Sequence, residues 1–152
     1  MIILETNRLL LRKWDVDSDL KPFTAIVQDT RVMEYYPALG DEGWALGFIK
    51  AHNEQIDKSG FGLLACVLKN TNEFIGYIGL AVPGFQAHFT PCVEIGWRLA
   101  YNAWGKGYAT EAAQACLADG FIQHKLEEIV SFTVPQNLRS RRVMEKLGMS
   151  HD

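Results

Sequence analysis

Glu94, Gly105, Lys106 and Gly107 fall within one stretch, Cys92 to Glu111, written C-V-E-I-G-W-R-L-A-Y-N-A-W-G-K-G-Y-A-T-E. A carboxylate can take a proton, and two glycines ahead of a helix can turn successive backbone N–H groups toward one point. Such a point attracts phosphate through the amides and the positive end of the helix dipole, and Lys106 can add a charge. The elements that must hold these groups are legible in the pattern. Val93, Ile95 and Trp97 alternate with Glu94, Gly96 and Arg98, the period of a strand. Beyond Gly107 the apolar residues Ala109, Ala112, Ala113, Cys116, Leu117 and Phe121 recur at helical spacing. A plain tight turn would use the same glycines, and a surface position on a solvated sheet would equally suit Glu94.

A second cluster, N-L-R-S at Asn137 to Ser140, opens another helix, and T-x-R-L-x-L-R opens the chain at Thr6 to Arg12. Together with the Gly105 and Gly107 loop, these motifs resemble the GNAT superfamily of acetyl-CoA-dependent N-acetyltransferases. The opening is similar to its Rim-type branch, which includes ribosomal-protein N-terminal acetyltransferases. The resemblance covers nearly all of the chain. It departs from the family's loop at Asn102, which stands where an Arg or Gln is usual. The fold it implies is α+β (mixed α/β), a central, mostly antiparallel sheet flanked by helices on both faces. The family adds a C-terminal hairpin after the last motif here, so the resemblance implies one acetyltransferase domain over 1–152, incomplete at its C-terminus or completed by a second chain in a homodimer.

The resemblance also implies roles. Acetyl-CoA is the expected acetyl-donor cosubstrate, held by Trp97, Leu99, Asn102, Trp104, Gly105, Lys106, Gly107, Tyr108, Ala109, Asn137 and Arg142. Backbone groups near Trp97 and Leu99 would pair with the pantetheine arm as another strand would, and Arg139, Arg142 or Lys146 would lie near the coenzyme A phosphates. Glu94 is the expected base and Ser140 the expected acid for the departing thiolate. The loop around Tyr35, Tyr36 and Pro37 would wall the acceptor cleft. His88, in the connection before the strand, reads as a surface residue with a lesser claim to catalysis.

Composition bounds the rest. A chain of 152 residues with 48% hydrophobic and 22% charged residues suits one soluble domain. A net charge of -3 gives no general pull toward nucleic acid, and the basic run R-S-R-R at 139–142 is also what a solvated helix face looks like. Cys66, Cys92 and Cys116 form no metal-type pair and read as buried thiols in a reducing compartment, so no metal is expected. With no secretory or membrane-spanning run, a cytoplasmic protein that binds no membrane is the expectation.

Along the chain, strands are expected at Ile2–Trp14, Phe61–Leu68, Phe74–Val82, Cys92–Leu99 and Ile129–Val134. Helices are expected at Leu20–Val27, Trp44–Lys58, from Tyr108 to near His124, and at Leu138–Leu147. Lys69 to Glu73 (K-N-T-N-E) reads as a hairpin turn that makes the second, third and fourth strands a meander. The function expected is direct transfer of an acetyl group to a primary amine, a protein or peptide α-amino group in the first instance. A small-amine acetyltransferase and a non-catalytic acyl-CoA-binding module are the alternatives. A nucleotide-binding protein fits less well, because Lys106 lies between the glycines rather than after them.

Overall fold

The computed structural model describes residues 1–84, 86 and 91–151; His88 lies outside them. Five strands, β1 (Ile2–Glu5), β2 (Leu9–Arg12), β3 (Leu63–Leu68), β4 (Phe74–Ala81) and β5 (Glu94–Leu99), form one sheet in chain order. Every neighbouring pair is antiparallel. Helices α1 (Val16–Val27) and α2 (Glu42–Ser59) cover one face, while α3 (Tyr108–Ile122) covers the other. The last helix, α4 (Leu138–Lys146), presents no buried residue.

The apolar runs L-L-A-C-V-L and F-I-G-Y-I-G-L-A become β3 and β4 because both faces of the central sheet are covered. Leu64, Cys66, Ile78 and Leu80 pack toward α3 with Leu9, Leu11 and Ile95. Leu63, Ala65 and Tyr77 pack toward α1 and α2 with Trp14, Phe23 and Ile49. Phe23 is wholly buried, and a side chain of that size contributes about 2–3 kcal/mol by leaving water. The β3–β4 turn places Asn72 at φ 59°, the left-handed geometry that asparagine tolerates.

Two expectations are corrected. The opening run is two strands, because Thr6 to Arg8 turns the chain back and lets Glu5 pair with Leu10. The 129–134 segment is not a strand. Among the described residues it makes one parallel bridge, Glu94 to Val130, and β5 diverges from it after that point, so no ladder forms. Its β-prone composition is real, but a strand requires a partner along its length.

Candidate active site

From Leu99 the chain passes through a short 3-10 turn, Tyr101–Ala103, into Trp104 to Gly107 and then α3. Asn102 is exposed in that turn. Gly105 and Gly107 take φ of 74° and 81°, where a side chain is strained, so the loop depends on glycine at both positions. Gly107 is the N-cap of α3 and offers no side-chain acceptor. The other three α-helices are capped by a side chain: Asp15 accepts from Asp17 N, Asp41 from Trp44 N, and Asn137 from Ser140 N. The open amides at the start of α3 therefore lack the partner that its sister helices have.

One support of this loop was not foreseen. The Arg8 guanidinium donates to the Lys106 carbonyl at 2.9 Å and to Glu111 at 2.7 Å, and its carbon lies 4.4 Å from the centre of the Tyr108 ring. Glu111 also accepts from the Arg8 backbone N–H at 2.9 Å and from the Thr6 hydroxyl at 2.6 Å. Desolvation pushes the Glu111 carboxyl upward, but these hydrogen bonds from Thr6 and Arg8 outweigh it and hold it below the ordinary range. The signal was present as T-x-R near the start and an acid in the first turn of α3, but nothing local joins them.

The far edge of β5 opens beside this loop. Ile95 N–H donates to the Val130 carbonyl at 2.8 Å, and Val130 N–H donates to Val93 at 3.0 Å. Next, the Ile95 carbonyl receives the Ser131 hydroxyl at 3.0 Å in place of a backbone N–H. By alternation the backbone groups of Trp97 and the N–H of Leu99 point to the same edge, and among the described residues no bond joins them to the 129–134 segment. Among the described residues, a strand edge without a backbone partner thus leads from the divergence to the start of α3. The Trp104 indole closes its end by donating to the Leu99 carbonyl at 3.1 Å.

Glu94 begins β5, opposite Ala81, at the point where the 129–134 segment meets the sheet. Burial raises its pKa above the ordinary glutamate value, so it holds a proton more readily than a surface carboxylate does. The three cysteines are free thiols, and burial pushes Cys66 up to about 12 and raises Cys92 and Cys116 as well. None is an activated nucleophile.

A desolvated carboxylate, a diverging strand edge and an uncapped glycine-entered helix form one contiguous arrangement, and residues 8–150 match the family described as Acetyltransferase (GNAT) domain. The chain belongs to the GNAT family. It is an acyltransferase with acetyl-CoA as donor, and the resemblance of its motifs carries through at the level of the family. The uncharacterized protein YkkB of Bacillus subtilis is 34% identical over 148 residues, which span 97% of this chain and 85% of that protein. The uncharacterized N-acetyltransferase YnaD of the same organism is 33% identical over 151 residues, 98% of this chain and 83% of that one. A crystal structure of an acetyltransferase from Agrobacterium tumefaciens matches with a TM-score of 0.84 at 30% identity, over 98% of this chain and 84% of its own.

The remaining expected residues of this GNAT chain separate into two groups. Trp97, Leu99, Trp104, Gly105, Lys106, Gly107, Tyr108 and Ala109 lie along the β5 edge, the loop and the first turn of α3. Arg139 brings α4 to them: its guanidinium carbon lies 3.8 Å from the centre of the Trp104 ring, and it reaches Glu34 of the α1–α2 connection at 4.0 Å. Asn137 spends its side-chain oxygen on the Ser140 N–H at 3.3 Å, so Ser140 is held in the first turn of α4. Arg142 is exposed on α4. The free β5 edge suits an amide-bearing arm, and the uncapped amides suit a pyrophosphate, so the residues present fit acetyl-CoA.

Proposed function

We propose that this chain transfers an acetyl group directly from acetyl-CoA to a primary amine, with Glu94 as base, in the manner of the Rim-type branch. The observation that carries this reading is the desolvated Glu94 carboxylate at the head of a strand whose outer edge, among the described residues, makes no backbone bond to the 129–134 segment at Trp97. The opening T-x-R-L-x-L-R supports the branch, and with it the α-amino group of a protein or peptide as acceptor. Bound acetyl-CoA supplies an activated acetyl thioester. Glu94 takes a proton from the acceptor ammonium, directly or through one water, and so frees the nitrogen lone pair. A backbone N–H at Trp97 or Leu99 polarises the carbonyl that the nitrogen attacks. Ser140 gives the proton that the departing sulfur needs as its bond to the acyl carbon breaks. Gly105 to Ala109 and Arg142 hold the phosphates, with Lys106 adding charge. The raised cysteine thiols support direct transfer over a covalent enzyme intermediate. Exposed Val134, at the end of the 129–134 segment, and exposed Leu138, at the start of α4, favour a second copy at that edge, testable by light scattering.

The test is thermal-shift titration with acetyl-CoA and, separately, with ATP, followed by thiol release with an amine panel. A rise with acetyl-CoA alone and amine-dependent thiol release that Glu94→Gln abolishes are the expected results. Binding without turnover, indifferent to Glu94→Gln, would instead identify an acyl-CoA-binding module.

A further inference from the structure

Arg98 is buried, with 8% of its surface exposed, and among the described residues Nε and Nη1 of its enclosed guanidinium have no hydrogen-bond partner. Three aromatic rings surround it: the guanidinium carbon lies 4.0 Å from the centre of Tyr36, 5.4 Å from Tyr77 and 5.7 Å from Trp44. Ring faces attract a cation but accept no conventional hydrogen bond from its N–H groups. Burial keeps the Tyr77 phenol above its usual pKa and therefore neutral. Tyr36 and Trp44 are themselves exposed, at 39% and 44%, so the chamber opens outward through them.

The strand places this cation in line with the proposed base. Glu94, Gly96 and Arg98 alternate onto one face of β5, opposite Ala81, Gly79 and Tyr77 of β4. Between the two charged residues the floor is open, because among the described residues a side chain at Gly96 would meet nothing nearer than Leu63 Cδ2 at 4.0 Å. The lane therefore has a carboxylate at one end, Gly96 in the middle and a guanidinium with unused donors at the other, and it is walled at Gly79, where the Gly62 carbonyl lies against the Cβ position.

Building on the acetyl-transfer reading, we propose that Arg98 anchors a carboxylate carried by the acceptor while the acceptor's amine lies over Gly96 toward Glu94. A carboxylate is planar, fits between aromatic walls and accepts along one edge of a guanidinium, from Nη2 together with Nε or with Nη1. The Cα atoms of Glu94 and Arg98 are about 13 Å apart at ~3.3 Å per residue. Two hydrogen bonds and a bridging water shorten the span, but a carboxylate two bonds from the nitrogen cannot serve both ends. The acceptor class is an amine with its carboxylate three or more bonds away, as in a residue with an acidic side chain, either free or at the start of a peptide.

The experiment separates anchoring from transfer. Glutarate, which has no amine, is titrated against the full chain by thermal shift, and transfer rates are compared for glutamate against glutamine and for peptides beginning with each. Glutarate should raise the midpoint of the wild-type chain and not that of Arg98→Gln. The glutamate-to-glutamine ratio of kcat/KM should be tenfold or more, and about one in Arg98→Gln. Arg98→Lys, which retains the charge, should fold normally and lose most of that ratio. A ratio shared by the peptide pair assigns the carboxylate to a polypeptide acceptor, and a ratio confined to the free amino acids assigns it to a small one. No glutarate effect on the wild type, an equal effect on Arg98→Gln, or a wild-type ratio near one would overturn the proposal. Glutarate binding through Arg98 without acetylation of any amine would support the anion site and overturn the acetyl-transfer reading.

Discussion

Arg12 and Arg98 are both largely enclosed strand arginines, and their surroundings differ in one respect. Arg12 meets Asp19 through two parallel hydrogen bonds of 2.7 and 2.8 Å, and Asp19, only 1% exposed, takes a further bond from Asp15 N–H. The pairing with Asp19 raises the Arg12 pKa against the opposing effect of burial. Arg98 has rings where Arg12 has a carboxylate. The same division runs through the molecule. Around β2 and α1 the polar groups are matched within the chain, as Glu111 of α3 is by Thr6 and Arg8; Arg98 on β5 and the uncapped amides that open α3 are left with capacity to spare. Matched groups hold a fold together, whereas unmatched ones are what a ligand can bind.

The largest effect should come from Glu94, on the unmatched side. Glu94→Gln should lower kcat/KM by about 10²–10⁴-fold and remove the acidic limb of its pH profile. That limb exists because the base must be ionised, and the limb should sit above the ordinary glutamate value. The same substitution should raise the melting midpoint at neutral pH. A carboxyl with a raised native pKa binds its proton more tightly folded than unfolded, so ionisation costs stability as pH climbs from the ordinary value through the raised one.

Next, Asp19→Asn should destabilise by about 3 kcal/mol in urea unfolding, since it strands Arg12 in a site built for a pair. Arg98→Gln should leave urea stability nearly unchanged or improve it. Equal losses at the two arginines would mean that Arg98, like Arg12, is held by a matched site. Gly107→Val strains a residue at φ 81°, at a cost of about 1–2 kcal/mol, and turns a side chain toward Arg8 Nη2, 3.4 Å from the Cβ position. Acetyl-CoA affinity by calorimetry should fall below detection while the fold survives. The smallest effect concerns His52, whose buried Nδ1 has no hydrogen-bond partner among the described residues and whose pKa burial lowers to about 4. Unfolded, the ring titrates near 6.5, so stability should be full above that value and decline as pH falls toward 4, by on the order of 1 kcal/mol after allowance for solvent at the ring. His52→Phe should flatten this part of the stability profile.

What could be read from the sequence follows from the range of the interactions. Gly105, Gly107, the Asn137 cap and the alternation of Glu94, Gly96 and Arg98 are local and were legible as such. The 129–134 run was misread as a strand because composition reports β preference and says nothing about where a neighbour diverges. The break at Thr6 to Arg8 was missed because an apolar run on each side looks continuous. Arg8 and Glu111 were missed because their bond spans most of the chain, and the chamber around Arg98 draws its rings from β4 and from the α1–α2 region.

The tie between Thr6, Arg8 and Glu111 also sets an order of events during synthesis. Its backbone bond joins residues separated by 103 positions, and such a contact forms only after a long loop has closed. On a ribosome, the first turn of the chain must wait until the start of α3 has emerged before the phosphate loop has its brace. The segment made first is thus completed almost last, and a change at Thr6 or Arg8 should be felt as slow maturation of the cofactor site rather than as failure of the sheet.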